Sequence, residues 1–386
     1  MIAFHSGSMA RSATNAILGS NAPIIHDAVK RFLAIAGVLV LVLLAALILT
    51  LRIRYGGATQ PFPDRTSAPL LGNDRVEIVA TLPEPPGNIA VADDGRVFFT
   101  YHPEARPEWK VLQLVDGKPV PYPSLEWQKE FVTPLSVRID KQGRLWVLDL
   151  GFHGMHRPRL IAFDLKTGAR VYQWRIPPAI AGFGSFVQDF QIDPAGRMIY
   201  LADLSILAKR PALIVFDTQT RECRRVLENH PSVKDGPYRI VARGTPMEFL
   251  GGLYKMHPAL DSIALDRNGE WLYYGAMSND TLYRVRTDDL QHVEAFGRKP
   301  QTDGIAIDDA GNVYMTEVEH GTVAVLRPDR TLHTLVRDER FRWPDGLSLH
   351  GDWLYMTDSA LAHVILRSRG TIRNHAPYFL YRVRIH

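Results

Sequence analysis

The sequence predicts an all-β chain, a six-bladed β-propeller preceded by one N-terminal transmembrane helix. Three observations predict it. A short phrase recurs six times, most copies roughly 40 to 50 residues apart with a longer gap between Gly196 and Gly269, and that is the period of a propeller blade. Leu33 to Leu51 is a nearly unbroken apolar run, and after residue 55 helix-period stretches are scarce while strand–turn–strand patterns are frequent.

The recurring phrase is clearest at Thr302-Asp303-Gly304-Ile305-Ala306-Ile307-Asp308-Asp309-Ala310-Gly311-Asn312-Val313-Tyr314 and at Pro344-Asp345-Gly346-Leu347-Ser348-Leu349, which runs on to Leu354-Tyr355. Other copies start at Leu135-Ser136-Val137, Gln188-Asp189-Phe190 and Asp261-Ser262-Ile263, and a worn first copy at Gly87-Asn88-Ile89. Each copy gives a small or polar residue, an alternating apolar strand, a tight turn on Gly (95, 143, 196, 269, 311 or 351), and a second apolar strand with an aromatic. One such unit cannot bury both of its faces, so units stack, and a ring is the closed way to stack them. Asp93, Asp140, Asp193, Asp266 and Asp308 recur with the turns and read as turn formers.

The segments follow in order. Residues 1–32 read as a disordered tail. Residues 33–51 read as the transmembrane helix, long enough to cross a bilayer, with Lys30 and Arg31 before it and Arg52 and Arg54 after it. No small-x-small cleavage site follows the run. Residues 52–73, with Gly and Pro, read as a linker, and residues 74–386 as the propeller. With the N-terminus inside, the propeller lies on the extracytoplasmic side, periplasmic or extracellular. The formal charge of +4 is scattered rather than striped, which excludes a nucleic-acid surface. The single cysteine, Cys223, excludes an intramolecular disulfide and any Cys/Cys or Cys/His metal site.

Between the phrases lie outer hairpins. Leu160–Asp164 turns through Lys166-Thr167-Gly168 into Val171–Trp174, and Leu213–Asp217 turns through Thr218-Gln219-Thr220 into Cys223–Leu227. The stretch from Asn229 to Ala259 is an insertion, read either as a lid over a site or as a packed surface loop. Val76–Leu82 and Tyr378–Ile385 each read as a lone strand. Together they complete one blade and leave no sheet edge exposed.

These stretches resemble the major royal jelly protein / yellow family. Ser185-Phe186-Val187-Gln188-Asp189 followed by Ile199–Asp203 is similar to its "SF-x-x-D…Y-x-x-D" segment, and Pro158–Thr167 to its "P-x-L-x-x-F-D-L-x-T". Leu272-Tyr273-Tyr274 with Leu282-Tyr283-Arg284-Val285 is similar to "LYY…LYRV", and Thr316-Glu317-Val318 to "F-T-E". The match covers roughly residues 74 to 385. The resemblance implies a six-bladed propeller, usually secreted, with small amines or other ligands bound near the central channel in some members, and a link to dopachrome conversion. One cysteine and an anchor point to a bacterial-type branch.

In a propeller, the innermost strands start near the axis, so their first polar positions converge. Here these are Asn88, Ser136, Asp189, Ser262, Gly304 and Gly346, preceded in three copies by Asp261, Asp303 and Asp345. Such a set suits a cationic amine, a hard cation held by oxygens, or a carboxyl with raised pKa. Any single Asp before Gly also serves as an ordinary turn or cap. A second ring is read at the exits of the second strands: Asp149, Asp203, Ser278 with Asn279, Glu317 and Asp358, with His153, His156 and Arg157 in the loop after Asp149. The ligand-binding set expected is Asn88, Asp189, Asp261, Asp303, Asp345, Asn279, Glu317 and Asp358. No catalytic residue is assigned and no metal site is expected.

Asp303-Gly304 and Pro344-Asp345-Gly346 also look like the Pro-Asp-Gly ligand segment of six-bladed calcium-dependent lactonases. That family's first-blade Glu has no counterpart, because Pro85-Pro86-Gly87-Asn88 stands there and Glu84 is displaced. No P-loop, dinucleotide fingerprint or nucleophile elbow is present. The expected function is a membrane-anchored, extracytoplasmic propeller that binds a small molecule in its channel without a required cofactor. The alternatives are a divalent-cation-dependent, gluconolactonase-type hydrolase, with Ca²⁺ as its ion, and a protein-interaction platform. Nucleic acid is not an expected partner.

Overall fold

The computed structural model describes the backbone of residues 10–386 and the side chains from residue 26 onward. The chain divides into two units, each described by itself: the N-terminal helix with Leu250–Tyr254, and the remainder from Gly57 to His386.

The helix runs Ala10–Tyr55 and is longer than the apolar stretch that nucleates it. The stretch 10–32, expected as disordered tail, is therefore helical, and the first nine residues of that tail lie outside the described residues. Helix growth past a formed nucleus costs little, so a long apolar helix recruits its flanks. His26–Tyr55 is the one helix among the described residues long and apolar enough to cross a membrane.

The second unit is a propeller of six four-stranded antiparallel sheets. Blade 1 spans 86–121, blade 2 134–175, blade 3 187–226, blade 4 260–298 and blade 5 305–337. Blade 6 combines Pro344–His350, Trp353–Asp358 and Tyr378–Arg384 with Val76–Leu82 from the start of the unit. Val76 pairs with Val383 and Leu82 with Tyr378, so an early and a late strand complete one sheet as the sequence predicts. The innermost strands neighbour one another in ring order, the last against the first.

Alternation along the second strands builds the core. In blade 2, Leu145 and Val147 face blade 1 and pack with Phe98, Val111 and Phe163. Trp146 and Leu148 face blade 3 and pack with Phe190, Leu201 and Phe216. Both faces of each blade are covered, so these strands read as continuous apolar runs. The same sharing recurs between blades 3 and 4, 4 and 5, and 5 and 6.

The blades have two unlike ends. At the distal end, first and second strands join through the Gly turns. Asp140 accepts the Gln142 and Arg144 amides at 3.0 Å, and Gly143 takes φ 74°, which a side chain would resist. At the entrance end the innermost strands begin and the longer loops lie.

One further segment departs from expectation, and the insertion takes the packed of its two expected forms. The stretch read as a linker is helical to Tyr55, and from Gly57 it is strapped to the propeller. Thr59 and Gln60 donate to the Pro237 carbonyl, Phe62 packs on Tyr238 at 5.0 Å, and Leu70 and Leu71 donate to the Thr334 and Leu335 carbonyls. Burial of Ala58 and Phe62 explains why a Gly/Pro-containing stretch is fixed here. The insertion is packed across the entrance end. Its Ile240, Ala242 and Met247 join one apolar cluster with Tyr101 of blade 1, Trp343 and Leu361 beside blade 6, and Val318 and Met277 beyond the second strands of blades 5 and 4.

Candidate functional site

The innermost strands of five blades carry a register break at or near their start, between Pro86 and Ile89, Pro134 and Ser136, Val187 and Asp189, Leu260 and Ser262, and Pro344 and Leu347. A bulge lets one residue leave the sheet pattern and re-aims its side chain. Asp261 and Asp345 occupy bulge positions. Hydroxyls on the second strands hold these bulges. Thr100 accepts the Asn88 amide at 3.0 Å and donates to the Leu135 carbonyl of the next blade at 2.6 Å. Thr357 accepts the Gly346 amide at 2.8 Å and donates to the Gly87 carbonyl at 2.6 Å, stitching blade 6 to blade 1.

Two glycines are demanded by this closeness. A Cβ on Gly304 would lie 2.1 Å from the Asp345 carbonyl oxygen, and one on Gly346 2.8 Å from the Asn88 Cα. Blades 5, 6 and 1 thus approach backbone to backbone around the axis, where the sequence carries Asp-Gly twice.

Of the eight expected ligands, five gather here: Asn88, Asp189, Asp261, Asp303 and Asp345. They do not stand alone. Arg138, from the innermost strand of blade 2, donates to Asn88 Oδ1 at 2.5 Å and to the two Asp189 oxygens at 2.7 and 2.9 Å. Asp189 also accepts the Phe190 amide at 2.9 Å. Burial raises the Asp189 carboxyl above its usual range, and Arg138 opposes this.

The other three carboxyls have no arginine. Asp303 accepts the Trp343 indole N–H at 2.6 Å. Its pKa is pushed up to about 6 by burial, against that hydrogen bond and with the Asp189 charge adding to the rise. Asp345 is raised well above the usual range by burial and then by the Asp303 charge. Asp261 is raised likewise by burial, then by Asp303 and Asp345, with Lys299 the opposing cation. Asp303 and Asp345 keep part of their surface open, whereas Asp261 is only 3% exposed. Asp261 Oδ1 and Ser262 Oγ are buried without a hydrogen-bond partner. A buried polar atom left unpaired costs about 1–3 kcal/mol.

Lys299 is wholly buried and reaches this site across Gly275, where a Cβ would sit 2.9 Å from the lysine Cε. Its ammonium donates to the Pro300 carbonyl at 3.1 Å. Burial pulls its pKa down to about 7, with Asp261 and Asp280 opposing.

The remaining three expected ligands are placed elsewhere. Asn279 lies in a turn beneath Gly236 of the insertion, its Oδ1 accepting the Thr281 amide at 3.3 Å. Glu317 accepts the Glu319 amide at 2.8 Å, the His320 amide at 2.9 Å and the Thr322 hydroxyl at 3.1 Å. Asp358 accepts the Trp343 amide at 2.6 Å and the Arg342 amide at 2.9 Å, and is paired with the Arg342 guanidinium at 3.1 Å. Asp149 with Arg159, and Asp203 with Arg225, repeat this arrangement. The second ring is thus a set of backbone clamps that fix the loops around the innermost strands. Their oxygens are spent on N–H groups before any ligand arrives. His153 packs on Phe186 at 4.9 Å and its Nε2 lies 3.4 Å from Glu104.

Arg138, Lys299 and Trp343 are site residues that sequence reasoning missed. Arg138 was findable: a lone charge inside an apolar strand, two residues from Ser136, shares that residue's side of the strand. Lys299 had a weaker signal, a strand glycine opposite it that only the fold makes meaningful.

A calcium site of the lactonase kind does not fit these donors. Asn88 and Asp189 share Arg138, and Asp303 is taken up by an indole. Among the described residues, the only group of three metal-capable His, Cys, Asp or Glu side chains whose ligand atoms lie within 4.8 Å of one another is Glu317, Glu319 and His320, away from the axial set.

The comparisons with known proteins agree with this architecture. Residues 132–365 match the family "Major royal jelly protein". Major royal jelly protein 3 of Apis mellifera is 28% identical over 200 residues, 48% of this chain and 35% of that protein, so the chain matches about a third of that relative's length. Among solved structures, a calcium-binding protein, regucalcin, from Agrobacterium tumefaciens has TM-score 0.54 at 12% identity, covering 82% of this chain and 95% of its own. A gluconolactonase from Xanthomonas campestris has TM-score 0.53 at 13% identity, covering 80% and 89%. These two share the fold alone. The family match spans more than half of the chain and lies wholly within the six-bladed ring just described, and on that ground the chain belongs to the major royal jelly protein family.

Proposed function

We propose that this chain is a membrane-anchored, extracytoplasmic propeller that binds a small cationic molecule, an amine, at the axial carboxyl site. One observation carries the reading: Asp261 Oδ1 and Ser262 Oγ are buried and unpartnered beside two further carboxyls, Asp303 and Asp345, that no arginine neutralises. An ammonium group supplies both missing things, N–H donors and positive charge. Arg138 already satisfies Asn88 and Asp189, which leaves Asp261, Asp303 and Asp345 as the carboxyls for the amine. The helix His26–Tyr55 supports the anchor. The insertion supports a partly covered site, because Ile240 and Met247 pack in one apolar cluster with Trp343, whose indole holds Asp303.

Calorimetry of the purified full chain with a panel of alkyl and aryl amines tests this. Binding is expected to strengthen from pH 5 to pH 7.5, because an ammonium pairs with carboxylates, and that of Asp303 forms as pH rises through about 6. Binding also releases protons, read as a dependence of the apparent enthalpy on buffer ionisation. No amine binding at either pH, or binding unchanged by Asp261→Asn, sinks the reading.

The divalent-cation hydrolase reading requires three oxygens converging on one ion, and among the described residues Asp261, Asp303 and Asp345 do not bring their ligand atoms within 4.8 Å of one another. Lactone turnover abolished by a chelator, with stoichiometric metal in the purified protein, would reinstate it.

A further inference from the structure

Exposed large apolar side chains gather on the loops of the entrance end. Phe152 and Met155 in the blade 2 loop are 49% and 63% exposed, Phe183 in the next connection 72%, and Leu207 in the blade 3 loop 39%. These three loops are knitted together. Gly184 donates to the His153 carbonyl at 2.9 Å, and Leu207 and Ala208 donate to the Gly184 carbonyl at 3.1 Å. A Cβ on Gly154 would sit 2.0 Å from the Gly182 carbonyl, so the loops cannot drift apart without unpacking. Phe152 and His153 hold successive left-handed conformations, φ 50° and 54°. Such backbone costs about 1 kcal/mol or more per residue and persists only where packing enforces it. Here it holds an aromatic ring outward in water.

Basic groups border the patch: Arg157 and Arg175 beside Met155, and Arg106 and Arg367 farther round, are all exposed. Arg157 lies against Arg175, donating to its carbonyl at 3.2 Å. The six Gly turns that join first and second strands at the distal end carry no exposed large apolar side chain, and Val115, 40% exposed beside the Asp116-Gly117 turn, stands singly there. Apolar tips ringed by Arg are the chemistry of a membrane interface, where side chains of the first kind enter the acyl boundary and the second kind meet phosphates.

Connectivity brings that surface near. Thr59 and Gln60 are pinned to Pro237, in the insertion on this same end. From Tyr55, where the apolar helix stops, the chain takes four steps to Thr59, and four extended residues reach at most about 14 Å. A bilayer that holds the helix therefore stays within a short tether of the entrance end, and a short tether makes weak interfacial contacts effective.

We propose that the entrance end docks onto the lipid surface, with Phe152, Met155 and Phe183 entering the headgroup region. This rests on the anchor reading above, and the test separates the two. In a Cys223→Ala background of the full chain, single cysteines at Leu41 in the helix, Phe183 on the patch and Ala310 on a distal turn are labelled with bimane. The protein is reconstituted into phosphatidylcholine/phosphatidylglycerol vesicles with and without brominated acyl chains. Quenching is expected at 41 and 183 and not at 310, with the 183 signal at least ~3-fold above that at 310. In a Phe152→Ser/Met155→Ser variant with unchanged circular dichroism, the 183 label loses most of its quenching. Quenching at 41 but equal at 183 and 310 overturns docking and leaves the anchor intact. Absence at 41 overturns the anchor and the docking with it. Concentration-dependent self-quenching at 183 that ignores bromination assigns the patch to a second copy and also overturns the proposal.

Discussion

At the distal end of each blade the turns are short and satisfy themselves. Asp140, Asp266 and Asp308 each accept amides within five residues, and the Gly that follows supplies the left-handed corner. At the entrance end the same kind of residue works at longer range. Asp149 accepts the amides of Val132 and Thr133, which precede its own blade's first strand, and binds Arg159. Asp358 does the same for Arg342 and Trp343. The difference teaches where burial puts the energetic risk. Distal Asp266 and Asp308 are half-buried and fail toward water, whereas entrance Asp149 and Asp358 are fully buried and fail inside the protein, leaving a guanidinium without its partner; Asp140, which also holds the buried Trp146 indole, is the distal exception.

The largest separation between the ends should come from the clamps. Asp149→Ala is expected to destabilise by about 3–5 kcal/mol, the cost of breaking a buried ion pair, while Asp266→Ala on a distal turn should cost about 1 kcal/mol. Urea unfolding followed by tryptophan fluorescence measures both, and equal losses would erase the distinction. Gly304→Ala should come next, at about 2–4 kcal/mol, because its methyl meets the Asp345 carbonyl. Gly311→Ala, at φ 81° in a distal turn with only Pro328 nearby, should cost about 1 kcal/mol.

A smaller, pH-dependent contrast follows from Asp303. Its folded pKa of about 6 lies above the ordinary 3.8, so its stabilising contribution is complete below about pH 4 and is lost as pH rises through 6. Asp303→Asn, which still accepts from the Trp343 indole, should therefore raise stability by about 1–2 kcal/mol at pH 7.5 and change little at pH 4. A gain of equal size at both pH values would refute the assignment. The smallest effect belongs to the distal surface: Ala310→Ser should stay within about 0.5 kcal/mol of the parent.

The fold was legible because its unit repeats. Six copies of one phrase gave the blade count, and the lone strands at Val76 and Tyr378 gave the closure. The axial site was half legible. Spacing located Asp189, Asp261, Asp303 and Asp345, since residues that open equivalent strands must meet. It did not show that Arg138 crosses from blade 2 to Asn88 and Asp189, because a side chain's reach depends on blade-to-blade distance. Nor did it separate Glu317 and Asp358 from true channel residues: which amides a carboxylate accepts depends on the path of the loop, and loops here differ from blade to blade. The insertion's path over the entrance end was equally closed to spacing arguments, since Ile240 and Met247 meet partners on three blades.

The pairing of Val76–Leu82 with Tyr378–Arg384 carries a consequence for how the protein is made. A ribosome delivers the first of these strands long before the second, with five whole blades in between. Until the second emerges, Val76–Leu82 has no hydrogen-bonded neighbour, and the ladder edge of Trp353–Asp358 stays bare. Biogenesis must therefore carry an unlatched arc through translation, and through any passage across a bilayer, and holdase chaperones that shield bare strand edges are the factors such a polypeptide would need.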